Sequence, residues 1–289
     1  MPQIAASSLE QGRRPLIICD FSPPRGFDTE LLEPARFLDV DWISIAYNPG
    51  RSVRVNSAFA AQWVKANTGK DVVFTLATRD MNKLAVQSLL LGAQLLGLEN
   101  VVVVRGDDFT ERDLAANKSV NDFTPSQMIT SIATMNEGLD FKGLKLRQPT
   151  RLCVGATIDM ARGMDRELLL TNRKIRSGAQ FLMSQPTFSS ETPRIFHEQY
   201  VERFREAITI PIFHGVQVMV PEGIAFGDIP RWVTDDLAKG RPGRDVALQI
   251  LEDFASAGLN TIYLVPPILR GGGRDYETTQ SVLEVVRGQ

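Results

Sequence analysis

The chain has 289 residues, of which 43% are hydrophobic and 23% are charged, and its formal net charge is -2. This composition is typical of a globular protein. The chain lacks the excess of basic residues that binds nucleic acids or anionic membranes. No apolar run reaches the roughly 18 residues of a membrane span, and residues 1–14 lack the apolar centre of a signal peptide. We therefore expect a cytoplasmic protein without nucleic-acid or membrane partners, in which residues 1–14 form an N-terminal tail.

The cysteines and histidines argue against disulfides and metal centres. Cys19 and Cys153 lie far apart in the sequence, each inside an apolar run, so we expect buried thiols in a reducing compartment. The two histidines, His197 and His214, have no neighbouring cysteines with metal-ligand spacing. The sequence therefore predicts no metal site.

The first strand signal is also the most informative segment. The apolar run from Leu16 to Cys19 ends in a carboxylate, Asp20, and then breaks at Pro23 and Pro24. Proline removes a ladder donor and disfavours helix in the residue before it. The pattern predicts a buried strand that presents Asp20 at its carboxyl end, although Asp20 capping a turn is the simpler alternative.

Seven further apolar runs follow the first one, and longer amphipathic stretches separate them. Most runs are rich in Val, Ile and Leu without alternation, which is typical of strands buried on both faces of a parallel sheet. The predicted strands are Leu16–Phe21, Trp42–Tyr47, Val72–Ala77, Val101–Val104, Leu152–Thr157, Phe181–Ser184, Ile210–Val218 and Thr261–Val265.

Helical patterns lie between most of these runs. The predicted helices are Met81–Leu96, Ser126–Met135, Arg166–Gly178, Arg194–Ile208, Trp232–Ala238, Arg244–Ala257 and Tyr276–Val286. Eight strands alternating with helices predict an α/β protein with a single (β/α)8 barrel, which we expect to span residues 15–289. A doubly wound open sheet is the competing architecture, but no G-x-G-x-x-G follows the first strand.

In such a barrel, chemistry takes place at the carboxyl ends of the strands. Two carboxylates there, Asp20 and Asp107, suit acid–base work, and the Gln185 amide suits recognition of a heterocycle edge. Each of them could instead brace a loop. Gly271–Gly273, after the last strand, is compatible with a phosphate-binding turn or with a simple mobile loop. The other polar strand-end candidates are Tyr47, Thr75, Arg105, Gly106, Thr157 and Gln217.

Taken in chain order, the strand-end motifs resemble those of the methylenetetrahydrofolate reductase family over about Leu16 to Val218. No single motif is specific, and the resemblance rests on the set of motifs in this order and at barrel spacing. The matching segments are DFSPPRG (Asp20–Gly26), DWISIAYNPG (Asp41–Gly50), RGD (Arg105–Asp107), the basic pair Arg173 and Lys174, Gln185 followed by Phe188, and IPIFHGVQV (Ile210–Val218).

The resemblance implies reduction of 5,10-methylenetetrahydrofolate to 5-methyltetrahydrofolate by hydride from a reduced nicotinamide, usually relayed by FAD. It makes Asp20 the acid and places Asp107 at the pterin and cofactor rings. The expected substrate contacts are Gln185, Tyr47, Phe188 and Gln217. The expected cofactor contacts are Thr75, Arg105, Gly106, Thr157, Arg173 and Lys174.

Several positions depart from the family pattern. The family's strand 1 acid is usually Glu, and Asp20 is one methylene shorter. Thr75 replaces a usual His, Thr157 replaces an aromatic residue, and the final strand lacks its usual aromatic–Asn–Arg ending. These departures favour a flavin-independent member that takes hydride directly from NADH or NADPH over an FAD enzyme.

Two other functions use the same predicted barrel. A folate-binding methyl-transfer protein would work with a corrinoid partner and need no nicotinamide. A non-catalytic barrel subunit would bind folate or a partner protein only. The sequence is also compatible with a homo-oligomer.

Overall fold

Eight parallel strands close into one barrel in the computed structural model, which describes residues 4–9, 14–161 and 163–288. Each strand pairs with the next along the chain, and the last pairs with the first, so that Cys19 aligns with both Ile43 and Leu264. The predicted (β/α)8 barrel is confirmed, and the open sheet is excluded. The strands are β1 (Leu16–Phe21), β2 (Trp42–Ile45), β3 (Asp71–Ala77), β4 (Asn100–Val104), β5 (Cys153–Ile158), β6 (Phe181–Pro186), β7 (Ile212–Gln217) and β8 (Thr261–Val265).

Helices surround the barrel, and short 3₁₀ turns at Glu30–Arg36 and Pro49–Arg51 flank β2. Within the described ranges, no helix is both long and apolar enough to cross a membrane. The helices are α1 (Ile4–Leu9), α2 (Ser57–Thr68), α3 (Lys83–Leu95), α4 (Glu111–Leu114), α5 (Pro125–Asn136), α6 (Met164–Arg176), α7 (Glu191–Phe204), α8 (Arg231–Ala238), α9 (Gly243–Ser256) and α10 (Tyr276–Gly288).

The sequence patterns did not predict α2. Its buried face consists mostly of small residues, including Ala58, Ala60 and Ala61, which give a weak hydrophobic period. The Asn56 side chain caps its first turn by accepting a hydrogen bond from the Ala58 amide, and Gly69 ends it in the left-handed region. The residues that cap its two ends, Asn56 and Gly69, were therefore the sequence signal for this helix.

Several leucines of α3 face solvent. Leu84 is 66% exposed and Leu95 is 87% exposed, whereas Val86, Leu90 and Ala93 are buried against the barrel. The helix is apolar on more than one face, so its periodicity alone does not identify the side that packs.

The barrel interior is filled below the strand ends. Alternate side chains of each strand point inward, and they form a separate cluster of Ile18, Trp42, Val73, Val102, Cys153, Phe181, Met183 and Phe213. Ile4 of α1 belongs to this cluster, is fully buried, and donates its amide to the Asn100 side chain at 3.2 Å. The segment expected to be a tail therefore contributes Ile4 to the interior cluster, and Ala5 packs against it.

Both cysteines are buried free thiols, as expected. Cys19 packs in the layer between strands and helices, and Cys153 packs in the barrel interior. Burial raises the pKa of Cys153 to about 11. The same effect, reinforced by the Asp20 charge, raises the pKa of Cys19 well above its ordinary value.

Candidate functional site

A cavity of about 160 Å³ opens among the side chains that end the strands. A broader depression of about 640 Å³ lies on the outer surface of α7, around His197 and Arg205, but it includes none of the strand-end polar residues. We therefore take the strand-end cavity as the candidate site. Its lining comprises Asp20, Ser44, Ala46, Tyr47, Pro49, Thr75, Val102, Val104, Thr157, Met183, Ser184, Gln185, Phe226, Tyr263 and Arg274.

Asp20 is held from two sides. The Tyr263 hydroxyl donates to its Oδ1 at 2.9 Å, and Nε and Nη2 of Arg274 both lie 3.3 Å from its Oδ2. Both side chains of the Asp20–Arg274 ion pair are less than a tenth exposed. Both carboxylate oxygens of Asp20 therefore already accept hydrogen bonds.

Burial and the Asp20 charge keep Tyr263 protonated. Its side chain is largely buried, and this burial, followed by the charge of Asp20 and the hydrogen bond to it, raises its pKa well above the ordinary value. Tyr263 is therefore a fixed neutral donor to Asp20 at any physiological pH.

Tyr276, at the start of α10, supports the segment behind Asp20. Its hydroxyl accepts a hydrogen bond from the Ser22 amide at 3.0 Å, and its ring stacks on Phe21 with centroids 4.4 Å apart. These contacts fix the chain between Asp20 and the two prolines. The position of the Asp20 carboxylate is thus set by groups from β8, the following loop and α10.

Tyr47, which follows β2, also lines the cavity and lies beside Asp80. Burial, and then the charge of Asp80, raises the pKa of the Tyr47 phenol. Asp80 is itself fixed by a bidentate pair with Arg79, whose guanidinium also covers the Phe109 ring at 4.1 Å. The end of β3 thereby holds one wall of the cavity.

A distortion of β6 brings Gln185 to the cavity. The register with β7 shifts between Met183 and Pro186, and the Ser184 hydroxyl accepts the Gly215 amide at 2.8 Å. A Cβ on Gly215 would lie 2.6 Å from backbone atoms of Ser184, Gln185 and Pro186. Only glycine at position 215 therefore permits this close approach, which places the Gln185 amide in the cavity wall.

Gln217, expected to contact substrate, instead holds a loop. Its Nε2 donates to the Ile224 carbonyl at 2.8 Å, and its Oε1 accepts the Phe226 amide at 2.9 Å. Both polar atoms of this buried side chain are thus used by the loop after β7. The consequence for the site is indirect, since Phe226 lines the cavity.

The segment after β4 lies outside the cavity lining. Asp107 is exposed, and its backbone carbonyl accepts a hydrogen bond from Arg79 at 2.7 Å. Arg105 is exposed and pairs with Asp108 at 2.6 Å, while Gly106 adopts φ +83° against Ala77. The two carboxylates proposed for acid–base work therefore occupy different environments, with Asp20 buried and Asp107 on the surface.

The remaining predicted residues divide between the cavity and the helix layer. Thr75 and Thr157 line the cavity. Lys174 donates to the Thr157 carbonyl at 2.7 Å and pairs with buried Glu167 at 3.0 Å, so it braces the end of β5. Arg173 is exposed on α6, and Phe188 packs against the core between the strands and helices.

The sequence patterns missed Ser44, Phe226, Tyr263 and Arg274 at the cavity. The alternation of inward and outward side chains along a strand could have identified two of them. Ser44 lies two positions after inward-facing Trp42. Tyr263 pairs in register with inward-facing Ile18. Arg274 reaches the site from an irregular loop, and no periodicity places it.

Comparisons with known proteins identify the family. The model for methylenetetrahydrofolate reductase matches residues 6–226, which is most of the chain. The chain belongs to the methylenetetrahydrofolate reductase family. This confirms the resemblance read from the strand-end motifs. No curated protein matches the sequence.

The fold also recurs among solved structures. An uncharacterized protein from Clostridium thermocellum, described as binding two copies of 5-methyl-5,6,7,8-tetrahydrofolic acid, superimposes with a TM-score of 0.64. The match covers 96% of each chain at 14% sequence identity. At this identity the likeness shows the fold alone.

The described residues do not fit an FAD beneath a folate. Lys174 is occupied by Glu167, and Arg105 is occupied by Asp108, so these cations are not gathered for a flavin's phosphates. The cavity of about 160 Å³ is below the roughly 300–1,000 Å³ of pockets that enclose drug-sized ligands, so it can enclose neither a whole FAD nor a whole folate. An apolar cavity of about 150 Å³ holds one benzene. The strand-end cavity is therefore sized for one ring, with the rest of a ligand at its mouth.

Proposed function

We propose that this chain binds a reduced folate at the strand-end cavity and reduces 5,10-methylenetetrahydrofolate to 5-methyltetrahydrofolate with hydride from NADH or NADPH. The observation that carries the proposal is the buried Asp20 carboxylate at the end of β1, in the same cavity as Gln185. Family membership supplies the reaction class. The folate bound by the structural neighbour supports the ligand class.

The polar groups of the cavity complement a pterin. The pyrimidine edge of a pterin carries adjacent N–H donors and a carbonyl acceptor. The Gln185 amide can both donate and accept, so it can pair with a donor and an acceptor of this edge. The side chains of Met183 and Phe226 also line the cavity and offer apolar contacts to a ring.

The chemistry requires a cationic intermediate. Opening of the five-membered imidazolidine ring breaks the bond between the methylene carbon and N10, and a proton is added to N10. The resulting N5-iminium is positively charged, and a carboxylate in a water-poor site stabilises it. Asp20, which is only 5% exposed, is the residue we assign to this part of the reaction.

The contacts of Asp20 orient it for this part of the reaction. Tyr263 donates to Oδ1 and Arg274 donates to Oδ2. Each carboxylate oxygen has two lone pairs, so these bonds leave Asp20 able to accept or deliver a proton. We assign to Asp20 the proton that N10 gains when the ring opens.

In this proposal the hydride passes directly from the reduced nicotinamide to the folate, without a flavin between them. A hydride leaves C4 of the dihydronicotinamide and adds to the iminium carbon, which gives the N5-methyl group and the oxidised nicotinamide. The poor fit of the described site to a flavin supports this route over one relayed by FAD. Methyl transfer to a corrinoid partner is the second candidate, favoured by the neighbour's binding of the methylated folate.

The proposal is tested by incubating the purified protein anaerobically with 5,10-methylenetetrahydrofolate and either NADH or NADPH. We expect one reduced nicotinamide to be consumed for each 5-methyltetrahydrofolate formed. Binding of 5-methyltetrahydrofolate without any nicotinamide consumption would contradict the reductase and favour methyl transfer.

A further inference from the structure

The loop after β4 runs from Arg105 to Thr124 and contains only the short helix α4. Most of the loop is exposed, and it carries Asp107. Loops of this length are uncommon in compact domains and are usually functional, for example as lids over a site. Such a loop keeps one conformation only where specific contacts fix it, because much of its backbone lacks regular hydrogen bonds.

Arg79, two residues after β3, contacts both ends of this loop. Its Nη1 donates to the Asp107 carbonyl at 2.7 Å, and its guanidinium lies 4.1 Å from the centre of the Phe109 ring. Its own backbone carbonyl accepts the Val120 amide at 2.7 Å. One residue therefore joins the segment that leaves β4 to the segment that returns toward α5.

The Arg79 side chain is itself fixed. The residue is buried, and Nε and Nη2 donate to the two carboxylate oxygens of Asp80. Gly106 packs closely on the same strand end, since a Cβ there would lie 3.2 Å from Cβ of Ala77 and 3.4 Å from Cβ of Arg79. Because the planar guanidinium divides its donors between Asp80 and the loop, it cannot rotate without losing contacts to both.

This anchor stands beside the candidate cavity. Asp80 lies next to Tyr47, and Tyr47 and Val104 both line the cavity. Because β2, β3 and β4 are neighbours in the barrel, the loop starts at the cavity wall and is held from the β3 side. Its base is therefore continuous with the wall that a ligand ring would contact.

The tip of the loop is held more weakly than its base. Arg51, in the 3₁₀ turn after β2, donates from Nε to Oδ2 of Asp113 in α4 at 2.9 Å. The two side chains are 31% and 29% exposed, and partly exposed ion pairs contribute little and are screened by salt. One such pair thus fastens α4 across the end of β3 to the loop after β2.

We propose that Arg79 is a positioning residue of the site, which fixes both ends of the loop after β4 and so holds Asp107 beside the cavity mouth. The Arg51–Asp113 pair fastens the tip of the same loop, which opens there to admit the ligand while its base stays in place. What the loop meets rests on the proposed function, since the part of a folate outside the cavity and the nicotinamide both lie at the mouth. Arg79 is outside the cavity lining and acts through the loop.

The variants separate the base of the loop from its tip. Arg79→Lys keeps the charge and loses the forked pair with Asp80. Phe109→Ala leaves that pair intact, so it tests the base even if the Arg79 variant fails to fold. Arg51→Gln removes the contact at the tip. Its matched control is Arg203→Gln, because Arg203 also forms a 2.9 Å ion pair at the surface, with Asp165 in the helix layer.

Hydrogen–deuterium exchange, measured by mass spectrometry on the whole protein without ligand, tests the loop contacts. In Arg79→Lys and Phe109→Ala we expect residues 105–121 to exchange at least about 5-fold faster, the factor for one lost hydrogen bond, with unchanged exchange in the strands. Arg51→Gln should accelerate exchange only around α4, and Arg203→Gln should not affect the loop. Equal exchange of the loop in wild type, Arg79→Lys and Phe109→Ala would overturn the proposal. Faster exchange throughout the barrel would also overturn it, because it would show a general loss of stability.

Kinetics test the positioning role. Arg79→Lys should lower kcat by at least about 10-fold, because small displacements at a reacting site are costly, whereas Arg51→Gln should raise KM by about 2- to 5-fold. An Arg79→Lys variant with a faster-exchanging loop and wild-type kcat would overturn the positioning role. If neither the wild type nor any variant reduces the folate, the proposed function fails. Slower exchange of residues 105–121 on addition of 5-methyltetrahydrofolate then supports the role of the loop, and its absence refutes it.

Discussion

The Tyr263 hydroxyl donates a 2.9 Å hydrogen bond to Oδ1 of Asp20, although 243 positions separate the two residues in the sequence. The bond crosses the seam where β8 closes the barrel against β1. Since burial keeps the phenol protonated, the bond is a permanent restraint on the carboxylate. The residue proposed to stabilise the reaction's cation is therefore held in place by the closure of the barrel.

Replacing Tyr263 with Phe should reduce stability and turnover together. The substitution leaves Oδ1 of a buried carboxylate without its donor, which costs about 1–3 kcal/mol. Urea unfolding and steady-state kinetics measure the two effects. Tyr200→Phe is the control, because Tyr200 is also a buried tyrosine but its hydroxyl bonds to Asn172 in the helix layer, away from Asp20. If turnover fell equally in both variants, the restraint on Asp20 would not be the cause.

Asp20→Asn should lower turnover by at least ~100-fold, the scale of losing an acid–base group, while folate still binds. Asp20→Glu restores the acid usual in the family and should retain more activity than Asp20→Asn. The measurement is the rate of nicotinamide oxidation at saturating folate, with binding measured separately. Activity of Asp20→Asn near the wild-type level would remove Asp20 from the mechanism.

Asp107→Ala tests whether the exposed carboxylate after β4 reaches the part of the ligand outside the cavity. We expect weaker folate binding and slower turnover, since the family resemblance places this residue at the pterin. Asp108→Ala is the adjacent control, because Asp108 is also exposed and pairs only with Arg105. Unchanged binding and rate in Asp107→Ala, or an equal loss in both variants, would contradict the assignment.

His214 should make the fold less stable in acid. Burial, and secondarily His197, lowers its pKa to about 3, from 6.5 for an ordinary histidine. Between these values the unfolded chain binds the proton and the native state does not. The contribution of His214 to the free energy of unfolding therefore falls as the pH drops below 6.5, by roughly 1.4 kcal/mol per pH unit.

Urea unfolding at pH 7 and pH 5 measures this dependence. His214→Phe keeps a ring beside Phe254 and should reduce the loss of stability between the two pH values. His197→Gln should reduce it less, because His197 is less buried. An identical loss in His214→Phe and the wild type would show that carboxylates alone cause the acid sensitivity.

The barrel was predictable because its strands are apolar runs that need only be recognised one at a time. Asp20 was predictable for the same local reason, since the run ends at a carboxylate and two prolines. Its partners were not, because Tyr263 reads as part of another apolar run and Arg274 lies in a loop whose path depends on the whole fold. Gln217 shows the converse difficulty: its place on β7 predicts a ligand contact, and the sequence does not reveal that backbone groups of the following loop bond to both of its polar atoms.

The most direct test of the central claim follows deuterium from C4 of the reduced nicotinamide into the methyl group of the product. The purified protein is incubated with 5,10-methylenetetrahydrofolate and the labelled cofactor, and the product is analysed by mass spectrometry. Direct reduction in the strand-end cavity predicts 5-methyltetrahydrofolate with one deuterium in its methyl group, formed without added flavin. Absence of the methyl product, or a methyl group that carries hydrogen from solvent instead of the label, would contradict the account.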